Sequence, residues 1–545
     1  MYIKLTKSKK YTYVQLVEGY REGDKVKHKV LINLGRLDLL KRNSSLEDVI
    51  SKLSEVIETK NIFDVRHCKS EKLYNFGYVV YKKLWKAFTL DNILQNMQQR
   101  SKATFDFNNA CLLMAINHLL NPHSKLGVYN NQSIYAQYQE VDLNHLYRSL
   151  DILSEHKEEL ESKLFEINCN FYKMKVDVVF YDVTTFHFES VIKDDLKNFG
   201  FSKANKINEV QVVLGMLIDC EGRPIGYELF SGNTFEGKTL EVALDKLEKR
   251  FGIRNVIIVA DRGINSKLNL KQVTDKRYGY IVASRIKSLK QEIQKQIFND
   301  TGYQVLGHDN GNIKYKVIDY VNTFKEGKKL ISLTEKLVVT YSEKRAQKDK
   351  KDRARLLEKA ERLLSNKSLI KSNNKRGGKK YLKEMGNTDW ILDEAALAKD
   401  EMFDGYYAIQ TSETNLSVEK ILDAYHSLWK IEESFRIMKS TLEVRPIFHW
   451  TERRIKGHFV VCFLAFLLER TMEIELNKAG ITASVQSIRD TLNAMQFNEI
   501  RCGNNKYFLR TQLSELGMKI LEVFKIKLPP NSVAASKLNI EKIIA

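Results

Sequence analysis

Two short β-prone runs that each stop on an aspartate limit this chain most. Val176-Asp177-Val178-Val179-Phe180-Tyr181 ends at Asp182, and Asn255-Val256-Ile257-Ile258-Val259-Ala260 ends at Asp261. The second run is apolar without alternation, the pattern of a strand buried on both faces and so of a sheet covered by helices. Between them, residues 211–218 read as a strand, Cys220-Glu221-Gly222 as a hairpin turn and residues 225–230 as its partner. Residues 239–251 and 266–276 carry helical periodicity, and residues 280–284 form another strand. The order is β-β-β-α-β, then α and β. The first three strands are antiparallel neighbours, and the strand before Asp261 follows a helical crossover.

If the strands before Asp182 and Asp261 are parallel neighbours, both carboxylates emerge at one sheet edge, where ligands of open α/β sheets bind. Two carboxylates held close cannot both stay ionised cheaply without a cation, and Mg2+ prefers such hard oxygen ligands. Either aspartate alone reads equally well as a turn or capping residue.

A third acid lies in Tyr425-His426-Ser427-Leu428-Trp429-Lys430-Ile431-Glu432-Glu433-Ser434-Phe435-Arg436-Ile437-Met438-Lys439. On one α-helix, Tyr425, Glu432 and Lys439 share a face, with Arg436 one turn beyond Glu432. Leu428, Ile431, Phe435, Met438 and Leu442 make the apolar stripe that seats it. Such a helix aims Glu432 at metal and a lysine and an arginine at phosphate. Taken alone, it is also an ordinary amphipathic helix with an i,i+4 Glu–Arg pair. Glu433 is the rival ligand, turned about 100° away. Two Asp and one Glu on this strand order describe a ribonuclease-H-like α/β fold holding two Mg2+ ions, a site for in-line attack on a phosphodiester.

The rest of the chain suits a polyanion partner. It has 545 residues, 88 Lys and Arg against 68 Asp and Glu, and a net charge of +20. Residues 343–384 hold 16 Lys and Arg against 6 Asp and Glu, half of that excess. This stretch is either a solvated helix and loop or a phosphate-contact surface. The longest apolar run, residues 459–468, is too short to span a bilayer, and the N-terminus has no secretory pattern. Six scattered cysteines without a CxxC pair suit a reducing, cytoplasmic setting.

Gly232-Asn233-Thr234-Phe235-Glu236-Gly237-Lys238-Thr239 matches the P-loop pattern letter for letter. Two features count against a P-loop ATPase. Glu236 would bring a carboxylate to the phosphates, and the preceding strand is a hairpin arm carrying Glu228 rather than a buried parallel strand.

The stretches YDVTTFHFE (181–189), GNTFEGKTL (232–240), VADRG (259–263), FDGYYAIQT (403–411) and residues 425–458 resemble the DDE transposases of bacterial insertion sequences, in the group with a Tyr/Arg/Glu/Lys signature. The resemblance spans residues 176–470 and accounts for the P-loop match as a family segment. It implies Asp182, Asp261 and Glu432 as catalytic, metal-holding residues and Mg2+, replaceable by Mn2+, as the cofactor. It implies double-stranded DNA as partner, at terminal inverted repeats and at a target, with two copies of the chain bridging two ends and no membrane. Tyr425, Arg436 and Lys439 become DNA contacts. Leu428 stands where the signature has arginine, which leaves a DNA-binding derivative without catalysis as the alternative reading. Residues 290–400 correspond to a β-rich insertion that touches DNA, in which Trp390 is either a base-holding aromatic or a core residue. His449 and His458 read as structural or DNA-adjacent.

The expected organisation is a β-rich N-terminal region at 1–75, built on a hairpin around residues 22–24, and a helical DNA-binding region at 76–172. The ribonuclease-H-like core follows at 173–289 and 403–475, interrupted by the basic β-rich insertion at 290–402. A helical C-terminal region fills 476–545.

Overall fold

The computed structural model describes the chain apart from residues 24, 42–68, 201–207, 307–312, 366–369, 371–376, 386–388, 446, 503–504 and 545. Cys68, Asp24 of the expected turn and the first half of the basic loop at 373–380 therefore lie outside the described residues. The chain divides into two compact units.

The smaller unit opens on strands β1 (Tyr2–Ser8), β2 (Tyr11–Glu22) and β3 (Lys25–Arg36). The expected hairpin is β2–β3, and β1 adds a third strand on the free side of β2. Strand β4 (Lys69–Asn75) ends this part of the unit.

In the larger unit, helices α1 (Phe107–Leu120) and α2 (Leu143–Glu155) precede the sheet. The sheet begins with β5 (Val178–His187), β6 (Gln211–Asp219) and β7 (Pro224–Ser231), an antiparallel meander. Helix α3 (Glu236–Phe251) crosses to β8 (Ile257–Ala260), which lies parallel to β5. Helix α4 (Lys267–Asp275) crosses to β9 (Gly279–Ala283), parallel to β8. The strand order read from the sequence is thus the order found.

The sheet does not stop there. Strands β10 (Gln304–Val305), β11 (Lys314–Glu326), β12 (Lys329–Tyr341) and, beyond a small β13–β14 hairpin (Leu382–Met385, Asp389–Leu392), β15 (Tyr406–Thr411) extend it to the order β10-β11-β12-β15-β9-β8-β5-β6-β7. The long β11–β12 hairpin of the expected β-rich insertion hydrogen-bonds through β12 to β15 and so extends the main sheet. Burial gives the reason. Leu337, Val338 and Val339 of β12 are fully buried, so this strand needs neighbours and cover on both faces. Helix α5 (Glu343–Ser365) follows β12 directly and carries the expected dense charge.

Alternation sorts β5. Val179, Tyr181 and Val183 join the core under α3 and α4, together with Ile258 and Ala260 of β8. The even-numbered residues of β5 therefore face the other side. There Phe186 meets Phe459 edge-on, with ring centroids 5.3 Å apart. Phe459 belongs to α8 (Glu452–Lys478); before it come α6 (Val418–His426) and α7 (Trp429–Arg436), and after it α9 (Val485–Ala494). All of residues 459–468 are buried within α8, and no helix among the described residues is long and apolar enough to cross a membrane.

The C-terminal part, expected to be helical, also contains strands. β16 (Gln496–Cys502), β17 (Asn505–Arg510) and β18 (Ser532–Ala534) pair with β4 in a four-stranded sheet of the smaller unit. Phe497, Ile500 and Tyr507 are among its buried residues, and the register puts Phe497 on the face opposite Ile500 and Tyr507.

Burial on α8 also leaves a pH signature. Burial drives the Glu469 carboxyl up to about 8, against a 2.5 Å hydrogen bond donated by the Tyr81 hydroxyl. A carboxyl raised on folding favours the fold below its unfolded value, near 4.5, and loses that contribution as the pH climbs through about 8. Glu469→Gln is expected to melt at least about 2 °C above the parent at pH 9 and to lose that advantage at about pH 4. Melting curves that shift in parallel at both pH values would count against it.

Candidate metal and phosphodiester site

The two aspartates sit at the same level of adjacent parallel strands. Val178 pairs with Ile257, Val179 with Ile258 and Phe180 with Val259, so two residues further along Asp182 stands opposite Asp261. Neighbouring strands lie about 4.8 Å apart, and both residues are on the face turned from the α3–α4 core. Each is half-buried. Asp182 Oδ1 accepts the Val183 N–H at 2.7 Å, and Asp261 Oδ1 accepts the Gly263 N–H at 2.6 Å. Asp261 has no ion pair among the described residues.

The stretch with the third acid departs from the single straight helix expected. It is two α-helices and a π turn. Helix α6 ends at His426, and i→i+3 bonds carry the chain through Ser427 and Leu428: Leu428 N–H to Tyr425 O at 3.0 Å and Ile431 N–H to Leu428 O at 3.1 Å. Helix α7 ends at Arg436, and Ile437–Thr441 is π-helical, closed by Leu442 N–H to Ile437 O at 2.9 Å. The apolar stripe is nonetheless seated as expected, with Leu428, Ile431, Phe435, Met438 and Leu442 all buried. Helix α7 packs on β5, and α6 packs on β8 and β9.

The polar residues separate into two groups. Glu432 is exposed and has no ion pair or hydrogen bond among the described residues. Glu433 is engaged, 3.1 Å from Arg436 and 3.1 Å from Arg470 of α8. Arg436 thus pairs with Glu433 rather than Glu432, at i,i+3 instead of i,i+4. Lys439, on the π turn, donates to Thr184 Oγ1 of β5 and lies 5.5 Å over the Phe186 ring. Tyr425 meets Tyr407 of β15, hydroxyl to hydroxyl at 2.5 Å. Burial, then Tyr407, raises the Tyr425 hydroxyl far above the usual tyrosine range, so it stays protonated and able to donate. Thr184 and Tyr407 were missed from sequence, although both lie in quoted segments; nothing local ties Tyr407 to a residue 18 positions away.

Trp390 sits on β14, half-buried in a small core with Leu363 and Tyr381, and the Lys379 ammonium is 4.6 Å from its ring centroid. His449 and His458 join His118 in a buried group below the π turn. His118 Nδ1 donates to Leu442 O at 2.9 Å and His458 Nε2 to Val444 O at 3.1 Å. His118, His458 and Cys462 lie within metal-sharing distance. The Lys125 nitrogen stands 3.3 Å from His118 Nε2, however, and burial lowers it only to about 8, so a cation is already there at neutral pH. Burial, then Lys125, holds His118 near 3, where it is neutral and serves the backbone.

The expected acids are of a different kind, and among the described residues they do not come within the metal-sharing distance that His118, His458 and Cys462 reach. Asp182, Asp261 and Glu432 offer only hard carboxylate oxygens, which fit a divalent cation of the Mg2+ type and not a thiol- or imidazole-seeking metal. The P-loop pattern provides no rival site. Gly237 and Lys238 already lie inside α3, which starts at Glu236, and β7 is an antiparallel edge strand. A Cβ on Gly232 would stand 2.0 Å from Gln211 O, so that glycine serves backbone packing.

Residues 175–468 match the model of the transposase DDE domain, just over half of the chain, and residues 3–61 match that of the IS1634 family transposase, N-terminal domain. No curated protein matches. Among solved structures, piggyBac transposase in a synaptic complex with hairpin DNA is similar at 9% identity, covering 77% of this chain and 79% of that one, with a TM-score of 0.38.

Proposed function

The chain belongs to the transposase DDE-domain family and is a DDE-type transposase of an insertion sequence; from that premise we propose that it cuts DNA at the ends of its element and joins them to a target, with Asp182, Asp261 and Glu432 holding two Mg2+ ions on a ribonuclease-H-like core. The in-register pairing of β5 with β8, which sets Asp182 opposite Asp261, carries this reading. The choice of Glu432 draws support from Glu433 being committed to Arg436 and Arg470. When bound, the ions activate water or a 3′-hydroxyl and steady the leaving oxygen, and Mn2+ serves in their place.

The chain's own groups do the positioning. The two strands fix the aspartates at one height. Lys439, braced on Thr184, offers an ammonium to the phosphate strand. Tyr425, tied to Tyr407, donates from a protonated hydroxyl. Arg436, exposed beside Glu433, reaches the backbone further along, and Trp390 belongs to the DNA-facing insertion. The basic helix α5 and the N-terminal region grip the terminal inverted repeats, and two copies of the chain bridge the two ends at the nucleoid.

The test uses a plasmid carrying the DNA on both sides of this gene. With Mg2+ the chain is expected to release strands cut at the repeat boundaries. Chelation with EDTA should stop cutting, and added Mn2+ should restore it. Intact plasmid with either ion would remove the proposal.

A further inference from the structure

The cleft beside Asp261 holds more guanidinium groups than its carboxylates engage. It runs between β9, α5 and β15 and is lined by Arg262, Ser284, Arg285, Arg345 and Tyr407 together with several carboxylates. Those carboxylates are committed. Asp404 is held by Arg353, and Asp400 by Lys287, Lys380 and the Tyr381 hydroxyl. Asp349 accepts the Gly405 N–H at 3.1 Å, and Asp352 pairs with Arg355 at 3.6 Å. Arg262 and Arg285 have no ion pair among the described residues, and Arg285 Nη2 donates only to the Arg262 carbonyl, at 2.8 Å. Arg345 approaches Asp349 no closer than 3.7 Å. Its guanidinium carbon lies 4.4 Å from the Tyr407 ring centroid, on the tyrosine whose hydroxyl meets Tyr425. Ser284 Oγ, in the same lining, is buried without a hydrogen-bond partner among the described residues.

The helix side offers no equivalent. Leu428 is a buried apolar residue, 7% exposed, and Arg436 is engaged by Glu433. Yet a strand laid across Asp261 brings one negative charge per nucleotide, and planar guanidinium groups match phosphate oxygens two at a time.

We propose that Arg262, Arg285 and Arg345 form the phosphate-binding wall of the site, holding the DNA backbone on the Asp261 side. Arg262 follows the metal-side aspartate directly, Arg285 braces its backbone, and Arg345 is kept flat by Tyr407. The inference rests on the function proposed above and names the cations that seat its substrate.

The probe is a duplex copied from the DNA flanking this gene. All three side chains are exposed, so Arg262→Ala/Arg345→Ala and Arg285→Ala are expected to melt with the parent. The double variant should lower the slope of log affinity against log salt by about two, one for each phosphate it no longer neutralises, and Arg285→Ala by about one. Cleavage should fall at least about tenfold in each, and Arg262→Ala/Arg345→Lys should recover about one unit of the slope. Asp261→Asn separates the two claims. If that variant still cuts, the proposed function fails. If it is inactive while the arginine variants keep the parent's slope and cutting rate, this inference alone fails.

Discussion

Asp182→Asn is expected to bind end DNA as tightly as the parent and to cut it at least about a thousandfold more slowly, a loss of about 4 kcal/mol from the transition state. Asparagine keeps the size of the side chain and an oxygen for the Val183 N–H, so β5 and its pairing with β8 have no cause to change. What disappears is one negative charge opposite Asp261, and with it the attraction that gathers divalent cations there. Binding is measured by gel shift in EDTA, and cutting by strand release in Mg2+. Cutting at the parent's rate would take Asp182 out of the site. Loss of binding together with cutting would mean that the carboxylate serves the fold.

The second large effect separates grip from cut. Lys344, Lys348, Lys351 and Arg355 are exposed on α5, whereas Ala360 and Leu363 on its inner side are buried. Serine at those four cation positions leaves the packed side untouched, so the melting temperature should hold. Duplex affinity at about 0.15 M salt should fall by about a hundredfold, and the salt slope by about 0.9 for every phosphate left without its cation. The same duplex should bind Asp182→Asn with the parent's slope. A four-site variant with unchanged slope would make α5 a merely solvated helix.

The placing of Asp182 opposite Asp261 was legible because their strands announce themselves locally. An apolar run of strand length that ends on aspartate states both its burial and its exit point, and the crossover through α3 left parallel pairing as the simple outcome. The helix of the third acid was legible in its buried stripe but not in its path. No proline or glycine marks the break at Ser427 and Leu428, which is made by i→i+3 bonds, and the π turn at Lys439 is closed by an i→i+5 bond. Arg436 followed from the same gap, since helix spacing permits either Glu432 or Glu433 and the choice came from Arg470, 37 residues away on α8. The pairing of the insertion with the main sheet was not legible for a related reason. β12 and β15 pair across more than sixty residues, and strand composition does not name a partner.

If α5 grips the duplex and the aspartates cut it, as proposed, that pairing makes the insertion part of a measuring device. Four strand-to-strand steps, β5 to β8, β9, β15 and β12, separate the Asp182 strand from the one that leads straight into α5. At about 4.8 Å a step they amount to roughly 19 Å, close to six base pairs along a duplex. A hydrogen-bonded sheet holds such a span as a caliper holds its jaws. The offset between the bases gripped and the bond broken then becomes a property of strand count, and an insertion tethered by a flexible linker would have left it free to wander.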